Sequence, residues 1–359
     1  MVLPPFIHVN VPLSEYTTIG LGGPAMHFAV CENLGQIREG LTFARDNRLR
    51  VHILGGGSNV IFADEGFKGL VAQIALRGVT FYEAGDSVDV IASAGEPWDQ
   101  LVRSCIDRHL AGVECLSGIP GFVGATPIQN VGAYGQEVRE TIVSLKAIQR
   151  DTLELTEFSG AECGFTYRQS RFKSNDAEEY IITEVTFRLR KNGRPEIRYP
   201  ELGTYLESHA NLSALESGRP VLEAVRRAVL ALRRKKSMVV DPADPDSRSV
   251  GSFFMNPVLT GEEFLRLEER WKQRGMTDPI PTFQAGTGIK VPAAWLVEKS
   301  GFRKGHRSGG VGISPNHALA LVNYNGSAHE ILQLAAEIQA GVLERFGIRL
   351  EREPVVVTP

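Results

Sequence analysis

Residues Cys115–Gln136 read CLSGIPGFVGATPIQNVGAYGQ, flanked by Glu114 and Glu137, with no charged residue between them. The stretch is long enough to span a bilayer, yet Gly118, Gly121, Gly124, Gly132 and Gly135, with Pro120 and Pro127, interrupt it throughout. A lipid-exposed helix cannot leave so many backbone groups unpaired. A core helix or strand would not carry that density of breakers either. What remains is irregular backbone packed inside protein, with glycines where something approaches the main chain closely. Gln129 and Asn130 add side-chain amides that both donate and accept hydrogen bonds. Uncharged walls, bare backbone and paired amides suit a large, flat ligand with polar edges; a tight glycine-rich packing loop is the other reading.

Outward from this stretch, the chain of 359 residues is long enough for two domains, each with a core. A charged fraction of 23% and a net charge of −3 give no argument for a nucleic-acid or membrane partner. The four cysteines, Cys31, Cys105, Cys115 and Cys163, form no CxxC pair and read as reduced thiols of a cytoplasmic protein. The N-terminal MVLPPFIHVNVPLSEY lacks a basic start followed by an apolar run, so no signal peptide is expected. No histidine pair has metal-ligand spacing, and no metal is expected.

In chain order, TTIGLGGPA (17–25) mimics a dinucleotide fingerprint, but no apolar strand precedes it and Pro24 sits where the helix should open. It reads as a turn-rich loop. A helix over about Asn33–Asn47 and a strand over Val51–Leu54 lead to Gly55-Gly56-Gly57-Ser58-Asn59. Three bare amides ending a strand suit an anion nest, and a glycine hairpin is the alternative. Val60–Phe62 continue as strand, and residues 69–94 alternate like antiparallel strands with a turn at Gly85-Asp86. Pro97 opens a helix bearing Trp98, Leu101, Val102, Cys105 and Ile106 on its buried side. Strands are expected at Ile142–Gln149 and Tyr180–Leu189, with YRQSRFK (167–173) between them. Residues 191–220 read as a polar excursion between domains, and a helix follows from about Val221 to Lys236. Its cationic end complements the helix dipole. GSFFMNP (251–257), a basic glycine-rich loop within 290–314, a helix over about His329–Phe346 and a terminal strand holding Glu351 and Glu353 complete the chain.

The motifs GGGSN, IPGFVGATPIQNVGAYG, YRQS and GSFFMNP, in this order, resemble those of the UDP-N-acetylenolpyruvoylglucosamine reductases, the MurB family. The resemblance runs from TTIGLGG to LERE. It implies an α+β fold: a two-lobed FAD-binding domain of the vanillyl-alcohol-oxidase (PCMH) type plus an α+β C-terminal substrate-binding domain. The expected boundaries are 1–220 for the FAD domain, with lobes of about 1–76 and 77–220, and 221–346 for the substrate domain. Residues 347–359 would form a terminal strand carrying Glu353 back to the active site. The implied reaction is that of a cytoplasmic monomer. NADPH reduces non-covalently bound FAD, and FAD reduces UDP-N-acetylglucosamine-enolpyruvate to UDP-N-acetylmuramate for peptidoglycan synthesis.

Carried over by motif, Gly55, Gly56, Gly57, Ser58 and Asn59 match the pyrophosphate-binding turn. Ile119, Pro120, Gly121, Gly124, Ala125, Gln129, Asn130, Gly132 and Ala133 match the flavin loop, with Tyr134 toward substrate. Tyr167 and Arg168 match the substrate-carboxylate pair, Ser252 the proton donor, Asn256 a residue of the same pocket and Glu353 the terminal catalytic acid. Tyr199 resembles the loop tyrosine of the longer form of the family, and Lys236 and Lys304 resemble basic residues near the sugar nucleotide. Pro354 departs from the usual valine after that acid.

The chemistry asks for these residue types. Negative charge developing beside the substrate carboxylate suits a planar, permanently charged guanidinium such as that of Arg168. A strongly basic carbon can take a proton from a serine, here Ser252. Glu353 would assist as a protonated acid if burial raised its pKa. An FAD-dependent oxidase of the same fold acting on another sugar or alcohol, and a sugar-nucleotide-binding protein without chemistry, are the competing expectations.

Overall fold

The computed structural model describes residues 3–359, which form two compact units. The first takes the chain up to Val11 together with Ala25–Gly57 and Lys68–Val239. The second takes Pro12–Pro24, Ser58–Phe67 and Val240–Pro359.

Beside the short pair Gly132–Ala133 with Gln136–Glu137, the first unit holds two large sheets. In one, strands Ile7–Pro12, Pro24–Cys31, Phe67–Ile74 and Arg50–Leu54 lie side by side in that order. Helix α1 (Leu34–Asp46) starts at Asn33, whose side chain accepts from the Gln36 amide, and buries Ile37, Leu41, Phe43 and Ala44 with Leu70, Ala72 and Ile74 of the sheet. Phe67–Ile74 runs parallel to Arg50–Leu54, with Arg50 opposite Gly69 and Leu54 opposite Gln73. Within 69–94 the expected antiparallel pairing is seen between Val79–Ala84 and Ser87–Ser93, which turn at Gly85-Asp86. Phe67–Ile74 is buried along most of its length, as strands covered on both faces are, and its sequence does not betray its direction.

The second sheet is ordered Leu155–Ser159, Ile142–Gln149, Tyr180–Lys191, Ser87–Ser93, Val79–Ala84, with Leu110–Ala111 pairing the end of Tyr180–Lys191. Helix α2 (Trp98–Asp107), opened by Pro97, packs Trp98, Leu101, Val102, Cys105 and Ile106 into the core of this sheet. The segment expected to be an irregular excursion contains helix α3 (Pro200–His209). Proline is at home in a first turn, and Leu202 and Leu206, one turn apart, are its only buried residues; the polar remainder hides it in the sequence. Those two leucines pack with Cys115 and with Val225, Ala228, Val229 and Leu232 of helix α4 (Arg219–Lys235). This contact keeps α4 in the first unit, which runs to Val239, past the boundary at residue 220 suggested by composition.

The second unit is built on the sheet Ser249–Ser252, Ala320–Asn323, Val311–Ile313, Arg307–Ser308 and on helices α5 (Gly261–Gln273), α6 (Ala293–Lys299) and α7 (Ala328–Phe346). Helix α7 opens with a reciprocal Ser327–Glu330 cap and closes at Gly347, whose φ of +72° suits glycine. Segments 12–24 and 58–67 join this unit because Ile19, Leu21 and Ile61 are buried in its core. In addition, the Asp64 carboxylate accepts from the Ala328 and His329 amides at 2.8 and 2.9 Å, at the positive end of α7. The regular terminal strand is Val355–Val357, parallel to Val60–Phe62, rather than a strand through Glu351 and Glu353.

Among the described residues no helix is long and apolar enough to cross a membrane, and no cluster of His, Cys, Asp or Glu is arranged to hold a metal. All four cysteines are free and buried, and burial pushes their thiols up.

Candidate active site

In the first unit the two glycine-rich segments meet main chain to main chain. A Cβ on Gly56 would sit 2.7 Å from the Cα of Gly121 and 3.1 Å from its carbonyl carbon, and one on Gly55 would sit 3.6 Å from the Cβ of Ala125. Gly57 turns the chain away at φ +64°. On the far side, Gly124 donates to the Ala94 carbonyl at 2.8 Å, where a Cβ would come within 2.5 Å of the Ala94 side chain. Ala125 is exposed, while Ile119, Pro120, Gly121 and Phe122 are half-buried. This surface of bare amides beside a short apolar wall fits a flat cofactor that carries a pyrophosphate. Gly56→Ala cannot be relieved by a rotamer change, because the obstacle is backbone. It is expected to cost about 1–3 kcal/mol and to release the cofactor, as read by thermal unfolding and by flavin content after gel filtration.

The loop is clamped by side chains that sequence reading missed. Trp98 donates from its indole to the Leu116 carbonyl and from its amide to the Gly121 carbonyl, both at 3.0 Å. The Gly118 peptide is gripped on both sides: its N–H donates to Asp99 at 2.5 Å, and its carbonyl accepts from Arg233 Nε at 3.2 Å. Arg226 holds the same Asp99 through two bonds of 2.6 and 2.7 Å. Burial acts to raise the Asp99 pKa, but Arg226 and the Gly118 amide outweigh it and keep the carboxyl below its usual range. Buried Glu114 accepts from the Gly112 amide at 2.7 Å and from Gln136 at 3.4 Å, and Gln136 in turn accepts from the Cys115 amide at 2.9 Å. Asn130, expected to face a ligand, is fully buried at φ +46° and supports the loop. Its amide donates to Glu137 and to the Thr166 carbonyl, both at 2.9 Å, and its carbonyl accepts from the Arg139 amide at 3.2 Å.

Arg168 belongs to the same assembly. Its Nη2 donates to the Gly132 carbonyl at 2.7 Å, and its guanidinium carbon lies 5.3 Å from the centre of the Tyr167 ring. A side chain on Gly132 would reach within 3.1 Å of Nη1. Arg168 has φ +55°, a conformation that costs a non-glycine residue energy. The turn is kept in place by Ser170 donating to the Ile128 carbonyl at 2.6 Å and by Lys173 donating to the Arg168 carbonyl at 3.2 Å. Beside it, Tyr134 meets Tyr199 edge-on at 5.4 Å, and the Lys236 ammonium lies 5.9 Å from the Tyr134 ring. Burial pushes the Tyr134 hydroxyl up to about 12. Burial, then the nearby Glu201 charge, raises that of Tyr199.

The remaining residues expected at the site lie in the second unit, whose first residue after the glycine turn is Ser58. Ser252 ends the strand Ser249–Ser252, opposite Ala320. The next residues pair with the C-terminal segment: Glu353 donates its amide to the Phe253 carbonyl at 2.9 Å, and Met255 donates to the Glu351 carbonyl at 3.0 Å. Asn59 then takes over, its side chain donating to the Glu353 carbonyl at 3.3 Å and its carbonyl accepting from Val355 at 3.0 Å. Buried Pro354 sits at the bend between these two pairings. Its departure from valine leaves the main chain of Glu353 anchored. The Asn256 side-chain oxygen Oδ1 accepts from the Ala293 amide at 2.8 Å, at the first residue of α6, while Lys304 is exposed on the loop after that helix.

Comparison with known proteins shows the family. The model of the UDP-N-acetylenolpyruvoylglucosamine reductase C-terminal domain matches residues 242–357, and that of an FAD binding domain matches residues 25–155. The chain is similar to the UDP-N-acetylenolpyruvoylglucosamine reductase of Thermobifida fusca, with 45% identity over 97% of each chain. It is 40% identical to that of Mycobacterium tuberculosis, over 97% of this chain and 94% of the other. The solved structure of the Thermus caldophilus enzyme shares the fold, with a TM-score of 0.65, 23% identity and coverage of 98% of this chain and 100% of that one. The two-lobed FAD-binding unit of the PCMH type and the C-terminal α+β domain are thus both present. The chain belongs to the UDP-N-acetylenolpyruvoylglucosamine reductase family.

Proposed function

We propose that this chain reduces the enolpyruvyl ether of UDP-N-acetylglucosamine-enolpyruvate to UDP-N-acetylmuramate, with FAD bound non-covalently and NADPH as the reductant, for peptidoglycan precursor synthesis. The observation that carries this reading is Arg168. It is a permanent charge fastened to the Gly132 carbonyl of an otherwise uncharged loop, beside Tyr167. When bound at the glycine turn and the Ile119–Ala125 loop, FAD supplies the hydride taken from NADPH.

The chain's own residues do the rest. Charge develops at the substrate carbon that bears the carboxylate and spreads into that carboxylate, where the guanidinium of Arg168 stabilises it most in a dry site. Ser252 Oγ gives its proton to that carbon and regains one from solvent, so that hydride and proton together complete the addition across the double bond. Glu353 supports that transfer. Tyr134, Tyr167, Tyr199, Lys236, Asn256 and Lys304 orient the sugar nucleotide. The reading is of a cytoplasmic enzyme, where the reduced nicotinamide and the nucleotide are at hand, that works as a monomer.

Incubation with NADPH and the enolpyruvyl nucleotide under nitrogen should convert the nucleotide to a product heavier by two hydrogen atoms. NADPH consumption that requires oxygen, with the nucleotide unchanged, would favour an oxidase instead.

A further inference from the structure

Lys236 is not one of the cations that the end of α4 requires. Arg233, Arg234 and Lys235 already occupy its last turn, and Lys236 sits one position beyond, as the C-cap. Its ammonium is held by Glu201, 2.6 Å away, in the first turn of α3. The pair is partly exposed, with 27% of the lysine and 40% of the glutamate side chain open to solvent, so it can exchange partners. Glu201 stands two residues after Tyr199, the residue that precedes α3 and meets Tyr134 edge-on. The segment leading to Tyr199 is docked as well. Arg198 forms bonds of 3.0 and 3.1 Å to both oxygens of Glu140, and a Cβ on Gly135 would lie 2.9 Å from that of Arg198. The Glu201 charge acts on this patch: it works to raise the pKa of Tyr199 after burial, and that of Tyr134 after burial and against the Arg233 charge.

Resting on the reading of Lys236, Tyr134 and Tyr199 as residues that face the sugar nucleotide, we infer that Glu201 is a positioning residue that competes with the substrate diphosphate for the Lys236 ammonium. In the ligand-free protein the carboxylate neutralises Lys236 and, through α3, holds Tyr199 against Tyr134. A diphosphate must displace it, because a second anion at the same ammonium is repelled by the first. Glu201 thereby weakens nucleotide binding and returns Lys236 to its resting partner when product leaves.

The test is a double-mutant cycle on the oxidised holoenzyme, with the Kd for the enolpyruvyl nucleotide read from the flavin spectrum. Glu201→Gln keeps the shape and removes the charge. It is expected to tighten binding ~2- to 5-fold, the range of a partly exposed ion pair. Lys236→Ala should weaken binding ~10-fold or more, and adding Glu201→Gln to Lys236→Ala should then change nothing further. If Lys236→Ala weakens binding but Glu201→Gln leaves Kd unchanged or raises it, Glu201 is not a competitor and the inference falls while the nucleotide reading stands. The inference falls as well if Glu201→Gln tightens binding equally without Lys236. If Lys236→Ala itself leaves Kd unchanged, the reading of Lys236 fails and the inference goes with it.

Discussion

Ser252→Ala is expected to leave bleaching of the flavin by NADPH at its wild-type rate and to slow reoxidation by the enolpyruvyl nucleotide ~10²–10⁴-fold, the usual range for loss of a positioned acid. The substitution is structurally mild. Ser252 is half-buried at a strand end, its pairing with Ala320 is made by main chain, and the Phe253 amide bonds to Leu319 whatever side chain precedes it. Rapid-mixing absorbance separates the two half-reactions. Undiminished reoxidation in the variant would remove Ser252 as the donor and direct attention to Glu353, whose amide bonds to the residue after Ser252.

The second large effect is expected at Arg168. Arg168→Lys keeps a positive charge but loses the planar fork, and the main-chain φ of +55° remains to be satisfied by another side chain with a Cβ. The rate of the second half-reaction should fall ~10²–10³-fold, the size of effect seen when a preorganised donor to a developing anion is lost. The first half-reaction, which has no such anion, should fall far less. Because Arg168 also bonds to the Gly132 carbonyl, equal losses in both half-reactions would show that the substitution had damaged the loop rather than the chemistry.

How much of this was legible in the sequence depended on the range of the forces involved. Helix α1, with its Asn33 cap, and α2, with five apolar residues on one face behind Pro97, follow from local chemistry, and both form where the periodicity puts them. The uncharged stretch around Pro120 was legible as irregular packed backbone, since its glycines admit little else. Helix α3 was not, because only Leu202 and Leu206 are buried and most of its other residues are polar. Nor was the membership of segments 12–24 and 58–67 in the second unit, because it is decided by burial of Ile19, Leu21 and Ile61 among residues from Val250 onward, far along the chain.

The site divides in the same way. Glycine turns carry their own signal, and Arg168 is singled out by the resemblance of its YRQS motif. The clamps do not. Asp99 and Arg226 are ordinary helix-surface residues in sequence, and only the fold shows them bonded to each other and to Gly118. Arg233 could be read only as a dipole cation until the structure placed it on the Gly118 carbonyl. A polar side chain in an apolar loop has two uses, binding and bracing, and the sequence does not distinguish them; the Asn130 side chain makes three internal hydrogen bonds that brace the loop.

One flavin in this protein is expected to take electrons from NADPH and give them to an enolpyruvyl sugar nucleotide. An anaerobic visible-absorbance titration of the purified protein tests it directly. The oxidised-flavin spectrum should bleach on addition of NADPH and return, mole for mole, on addition of UDP-N-acetylglucosamine-enolpyruvate. A spectrum that bleaches but returns only when oxygen is admitted, or protein that takes up no FAD, would contradict it.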